Sequence, residues 1–227
     1  LTKDDRIISR DTSLPVKGNH LSVVHNNAGD TIRWIPVQDP EDRTNNSAAD
    51  DRGSGDAKLL QDELRDPGNF DFRPRASSTL VDAGKNIPGF TDPIDGLTSG
   101  TLGSAPDIGA YEYGDTHYWI PGHQTDQASM PIAPDGSITV KPDADLMWLE
   151  GRNSIANNIF FGTNSEQLDF QSTQANSHNI FTPSNLVPGQ TYFWRIDSVL
   201  DVGEDNLNIN DDTVITGDTW QFTVDDK

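Results

Sequence analysis

Short runs of alternating apolar and polar residues dominate the second half of the chain. In 144–150 (ADLMWLE), Ala144, Leu146 and Trp148 share one face. In 157–163 (NNIFFGT), Ile159 and Phe161 do so. In 191–199 (TYFWRIDSV), Tyr192, Trp194 and Ile196 face one way, and Arg195 and Asp197 the other. In 218–224 (DTWQFTV), Trp220, Phe222 and Val224 align. A period of two marks half-buried strands. Turn signals punctuate them at Pro134-Asp135-Gly136, Gly151 to Asn153, Gly162 to Ser165, Pro188-Gly189 and Gly217-Asp218. About seven short strands in ~100 residues is the pattern of a β-sandwich.

The first half is less regular. Two β-rich stretches, Leu21 to His25 and Thr31 to Val37, are joined through NNAGD. Short strands between Asn- and Gly-rich turns are what parallel β-helix coils look like. Residues 38–56 are strongly polar and read as a surface loop. Residues 114–136 hold two Pro-centred turns and no periodicity, the mark of a linker. The expected organisation is a β-helix end over 1–116, a linker over 117–130 and a sandwich over 131–227. Residues 130–226 are expected to be the more stable unit.

Composition sharpens this all-β reading. The 227 residues include 36 acids, of which 30 are Asp and 6 Glu, with 19 Gly and 14 Pro. Asp suits turns and disfavours helix interiors. Clustered aromatics, with five Trp, nine Phe and four Tyr, set the chain apart from disordered sequences. The net charge of −20 weighs against nucleic-acid binding, which draws on clustered Lys and Arg. It fits an acidic, soluble surface of the sort found in marine or salty habitats. Residues 1–121 carry 12 basic and 20 acidic groups, and 122–227 carry 4 and 16. The absence of Cys excludes disulfides, Cys-ligated zinc and thiol catalysis. No apolar run approaches the ~18 residues that a membrane helix needs. Leu1 followed by the charged stretch Lys3 to Arg6 does not read as a signal peptide. The chain is therefore expected to be a mature product or a fragment.

Two sets of residues carry resemblances. PDG, the strand with Trp148, IFFGTN, LVPGQTYFWRID and GDTWQFTV follow one another over roughly 127–226. This order resembles a fibronectin type III-like module of the kind appended to bacterial secreted enzymes. Trp148 and Tyr192 match the module's Trp on the second strand and Tyr on the sixth. The acidic insert DVGEDNLNINDDTVITGD departs from the module's tighter turn. Phe-Asp-Phe-Arg with Asp71 to Arg73, then Val81 to Gly84, then Pro106 to Gly114 (PDIGAYEYG) form the second set. They resemble the C-terminal end of secreted right-handed parallel β-helix proteins, many of which act on polysaccharides as lyases, glycosidases or epimerases. The resemblance implies that this stretch closes the last coil. It also implies that the family's catalytic residues lie on coils before Leu1.

Candidate chemistry is sparse. There is no Gly-x-Ser-x-Gly, and the histidines at 20, 25, 117, 123 and 178 form no His-Glu-x-x-His. Arg33 beside Trp34, with His25 nearby in sequence, could meet an anionic sugar; the plainer alternative is that Arg33 covers a packed Trp34 with its stem. The acidic insert offers Asp201, Glu204, Asp205, Asn206, Asn208, Asn210, Asp211 and Asp212 within twelve residues. Calcium takes six to eight such oxygens, so the expected metal set is Asp201, Glu204, Asp205, Asn208, Asp211 and Asp212, against a solvated acidic loop. Trp148, Trp194 and Trp220 read as core, which leaves Trp119, Tyr118, Phe160 and Phe193 as candidate stacking platforms for sugar.

The leading expectation is the non-catalytic C-terminal region of a secreted or cell-surface polysaccharide-degrading protein. It would act as a carbohydrate-binding or spacer module alongside the parent's further β-helix coils. Its glycan would be neutral, or acidic with calcium as the bridge, because the acidic half repels polyanions. The alternatives are a share in lyase or glycosidase catalysis, and a structural or adhesive role.

Overall fold

The computed structural model describes residues 28–32, 47–50, 60–89, 91–92, 100–200 and 213–227, with backbone alone for 28–32, 47–50 and 60–61. The protein is all-β. Its described helical turns are only α1 (Leu60–Glu63) and a 3-10 turn at Pro67–Asn69. The chain divides into two compact units. The first takes in Leu1–Arg65, Phe72–Asp95 and Ser99–Asp115, and the second Asp66–Asp71, Gly96–Thr98 and Thr116–Lys227.

In the first unit, β1 (Ala28–Ile32) pairs in parallel with β2 (Ser47–Asp50), setting Thr31 opposite Ala49 and Ile32 opposite Asp50. The stretch Leu21 to His25 lies outside the described residues. Thr31 to Val37 is described only as far as Ile32. β3 (Leu64–Asp66) and β4 (Asp71–Pro74) form a second two-stranded sheet. The described apolar core here is small, with Leu64, Leu80 and Ile108 buried and Phe72 and Ala83 packed against them.

Carboxylates bound to backbone amides do much of the remaining work. Glu63 is buried and accepts from Ser78 Oγ at 2.7 Å and Thr79 N at 2.6 Å. Asp82 Oδ1 accepts from the amides of Ser104 (2.7 Å) and Ala105 (3.1 Å), which hold its carboxyl below the ordinary value. The amide of Gly84 donates to Pro106 O at 2.7 Å. A Cβ on Gly84 would lie 2.5 Å from that oxygen, so only glycine permits the approach. The motif at Val81 to Gly84 is thus locked onto the start of the motif at Pro106 to Gly114. Irregular chain is held here by charge-assisted hydrogen bonds, each stronger than a neutral one.

The second unit is a β-sandwich. One sheet has the order β10-β7-β5, made of β10 (Ile180–Phe181), β7 (Leu146–Leu149) and β5 (Ser129–Ile132), all antiparallel. The other runs β6-β13-β11-β8-β9, made of β6 (Ser137–Val140), β13 (Thr219–Val224), β11 (Thr191–Leu200), β8 (Ser154–Gly162) and β9 (Asp169–Ala175). β12 (Thr213–Ile215) also pairs with β11, and the β6–β13 pair is parallel. The inward positions of the alternating runs fill one core: Ala144, Leu146 and Trp148; Ile159; Tyr192, Trp194 and Ile196; Trp220, Phe222 and Val224. Trp194 meets Trp220 edge-on at 4.7 Å, and Tyr192 stacks on Phe161 at 5.2 Å. Removing one such ring costs about 3–5 kcal/mol.

Tyr192 also ties off a turn. Its hydroxyl accepts from Val187 N at 3.0 Å and donates to Asn185 O at 3.4 Å. A tyrosine bonding back to the backbone a few residues upstream fixes the corner leading into its strand.

Candidate functional site

A concavity lies within the sandwich unit. It has a volume of about 470 Å³ and is lined by residues 117–124, by Leu149, Glu150 and Arg152, and by Asn179. That volume falls within the ~300–1,000 Å³ range of small-molecule sites.

Asn179 builds one wall. It is buried, and its carboxamide accepts from Tyr118 N at 2.7 Å while donating to Tyr118 O and Trp148 O, both at 2.8 Å. The segment through Tyr118 is thereby fastened beside β7. Tyr118 is buried, and its hydroxyl donates to Phe70 O at 2.6 Å. Ile120 is buried as well. Between them Trp119 remains 48% exposed, as alternation along an extended chain requires. At the other end the amide of Arg152 donates to Thr125 O at 2.7 Å. Gly122 closes the wall: a Cβ there would lie 2.6 Å from Met130 Sδ and 2.9 Å from Leu149 Cδ2.

Glu150 supplies the site's distinctive chemistry. It is the only carboxyl group in the lining. Its Oε1 is covered, with no hydrogen-bond partner among the described residues. Burial alone pushes its carboxyl from the ordinary 4.5 up to about 7. A desolvated carboxyl in a cleft with no compensating donor marks a functional-site candidate. The nearby guanidinium of Arg152 is turned to Asp126 instead, at 2.6 Å, in an exposed pair that adds little stability.

Of the residues singled out from the sequence, Trp119 lines this pocket. Tyr118 is corrected: it is an anchor inside the fold and not a stacking platform. Phe160 is corrected too. Arg195 covers its ring, with the guanidinium carbon 4.5 Å from the centroid, and Phe170 meets it at 5.6 Å. Asp197, which the alternation turns outward, is buried; Arg195 grips it at 2.8 and 3.1 Å, and Gly217 N donates to it at 3.0 Å. Arg33 and Trp34 lie outside the described residues, as do Asp201, Glu204, Asp205, Asn208, Asp211 and Asp212. Among the described residues no three His, Asp or Glu side chains converge as a metal-binding group.

Glu150 and Asn179 were not anticipated as site residues. Glu150 had a signal: it continues the inward series Leu146, Trp148 by one more step of two, so a carboxyl falls where an apolar residue belongs. Asn179 had none, because nothing local shows that its amide meets Tyr118, 61 positions away.

Compared with known proteins, the chain matches no protein-family model, and no curated protein matches it.

Proposed function

We propose that this chain is the non-catalytic C-terminal region of a secreted polysaccharide-degrading protein, and that its sandwich unit is an accessory carbohydrate-binding module. The observation that carries the reading is Trp119, held half-exposed at the rim of a pocket whose walls are fixed by buried hydrogen bonds. An indole face beside a few polar groups suits a sugar ring, which has an apolar face and a rim of hydroxyls. The lining favours binding over hydrolysis, since a glycosidase needs two carboxyls ~5–9.5 Å apart and Glu150 is the only one lining the pocket.

Two further observations support the wider architecture. Sheets ordered β10-β7-β5 and β6-β13-β11-β8-β9, with Trp148 and Tyr192 in one core, agree with a fibronectin type III-like module. Parallel pairing of β1 with β2 agrees with β-helix coils ahead of it. In this reading the parent is a polysaccharide lyase or glycoside hydrolase, and calcium held by the acidic insert would bridge any acidic glycan.

Co-sedimentation of the full chain with insoluble neutral and acidic polysaccharides, with calcium and with chelator, tests the proposal. Retention on at least one glycan is expected. Recovery of the chain in every supernatant would overturn the reading. An adhesive role would then gain weight, favoured by β9 at the edge of its sheet, with Phe170 57% exposed.

A further inference from the structure

We infer that the pocket selects a glycan carrying free amino groups, with a sugar ring on Trp119 and its ammonium against the Glu150 carboxylate. This rests on the carbohydrate-binding reading and names its ligand class.

Glu150 Oε1 has no hydrogen-bond partner among the described residues. A carboxyl moved out of water keeps its charge only when a donor or a counter-charge replaces the lost solvent. Neither exists for it among the described residues, although the residue lines the pocket. A sugar hydroxyl would supply a hydrogen bond alone. An ammonium supplies the hydrogen bond and the charge together, and such a bond is roughly twice as strong as a neutral one. Trp119 favours the same ligand, because an indole face attracts cations as well as apolar ring faces.

The surroundings agree. Arg152, the one guanidinium in the lining, is committed to Asp126. His117 and His123 also line the pocket. Beyond the pocket, residues 122–227 carry 16 acidic groups against 4 basic ones. That field concentrates cationic chains and repels uronates and sulfated glycans. The same charge asymmetry that counts against a polyanion thus counts for an amino sugar.

The test is isothermal titration of the full chain with a glucosamine hexamer, its fully N-acetylated counterpart, a neutral glucose hexamer and a lysine hexamer. The wild type is expected to bind the amino hexamer about tenfold more tightly than the acetylated one, the scale of one charged hydrogen bond. In Glu150→Gln that preference should fall to within about threefold. Trp119→Ala should weaken the amino hexamer by about tenfold or more, while its melting temperature reports whether the fold is intact. Equal binding of all sugar hexamers would overturn the inference and leave the carbohydrate reading standing. A preference that persists in Glu150→Gln, or a lysine hexamer that binds as well as the amino sugar, would also overturn it, reducing the effect to general attraction of polycations. No binding by any hexamer would count against both.

Discussion

The Glu112 carboxylate holds the backbone of Asp107, and the Asp107 carboxylate holds that of Tyr113, the next residue after Glu112. The Asp107 amide donates to Glu112 Oε1 at 2.9 Å, and Asp107 Oδ2 accepts from the amide of Tyr113 at 2.6 Å. Asp107 and Glu112 each spend the other oxygen further away, on the amides of Asp82 (2.8 Å) and Leu102 (3.1 Å) respectively. Four amides of an irregular loop are satisfied by two side chains. Burial pushes both carboxyls above their ordinary values, against the amide hydrogen bonds that favour the charged forms.

The clasp makes a coupled prediction. Asp107→Asn and Glu112→Gln each replace an accepting oxygen by an NH2 group that faces a backbone donor. Each is expected to cost about 1–3 kcal/mol in denaturant unfolding of the full chain. The double variant should cost measurably less than the sum, by about 0.5 kcal/mol or more. Strict additivity would show that the two residues act independently.

Gly84→Ala tests the other lock of this region. The new methyl would need to pass within 2.5 Å of Pro106 O and 2.9 Å of Asp107 O, both backbone atoms. A destabilisation of about 1–3 kcal/mol is expected, the scale of overpacking. Gly114→Ala is a fair comparison for space alone, since nothing lies within 4 Å of its added Cβ; its positive φ of 86° still brings some strain.

The corner at Tyr192 predicts a smaller effect. Tyr192→Phe keeps the ring on Phe161 and removes the hydroxyl that takes the Val187 amide. A loss of about 1 kcal/mol is expected, with glycan affinity unchanged. A neutral result in a urea titration would assign the corner to packing alone.

Glu150 predicts a pH dependence of stability. Its folded value of about 7 lies above its ordinary 4.5, so the folded state holds a proton that the unfolded state has released across that window. Stability from this group is therefore fully present below the lower value and lost as pH rises through the upper one. Glu150→Gln imitates the protonated form and does not titrate. The variant should melt close to the wild type at pH 5 and above it at pH 8. A melting difference that is constant between those pH values would remove burial as the cause of the shift.

Much of the sandwich was legible because its strands have one wet face. Trp194 and Trp220 announce the core by their spacing, and Pro188-Gly189 announces the turn before β11. The reading failed where a side chain's fate depends on chain far away. Asp197 sits at an outward position, and Gly217 covers it from 20 residues on. Phe160 sits opposite Arg195 in the register, and Arg195 takes its face. The pocket was half visible. Trp119 stands out as an aromatic in a stretch without periodicity, and no local pattern marks that stretch as ordered. Its order comes from Asn179 and Arg152, two residues whose partners no local pattern can reveal. Asp82, Asp107 and Glu112 fall within the two motifs at Val81 to Gly84 and Pro106 to Gly114, but their interlock, carboxylates bound to amides, needs coordinates.

The proposed function rests on sugar binding at the Trp119 pocket. Affinity gel electrophoresis tests it most directly, comparing wild type and Trp119→Ala in gels cast with neutral, amino and acidic polysaccharides, with calcium and with chelator. The wild type should be retarded by at least one glycan, and the variant should migrate as it does in a gel without glycan. Equal retardation of the two proteins, or free migration of the wild type in every gel, would contradict it.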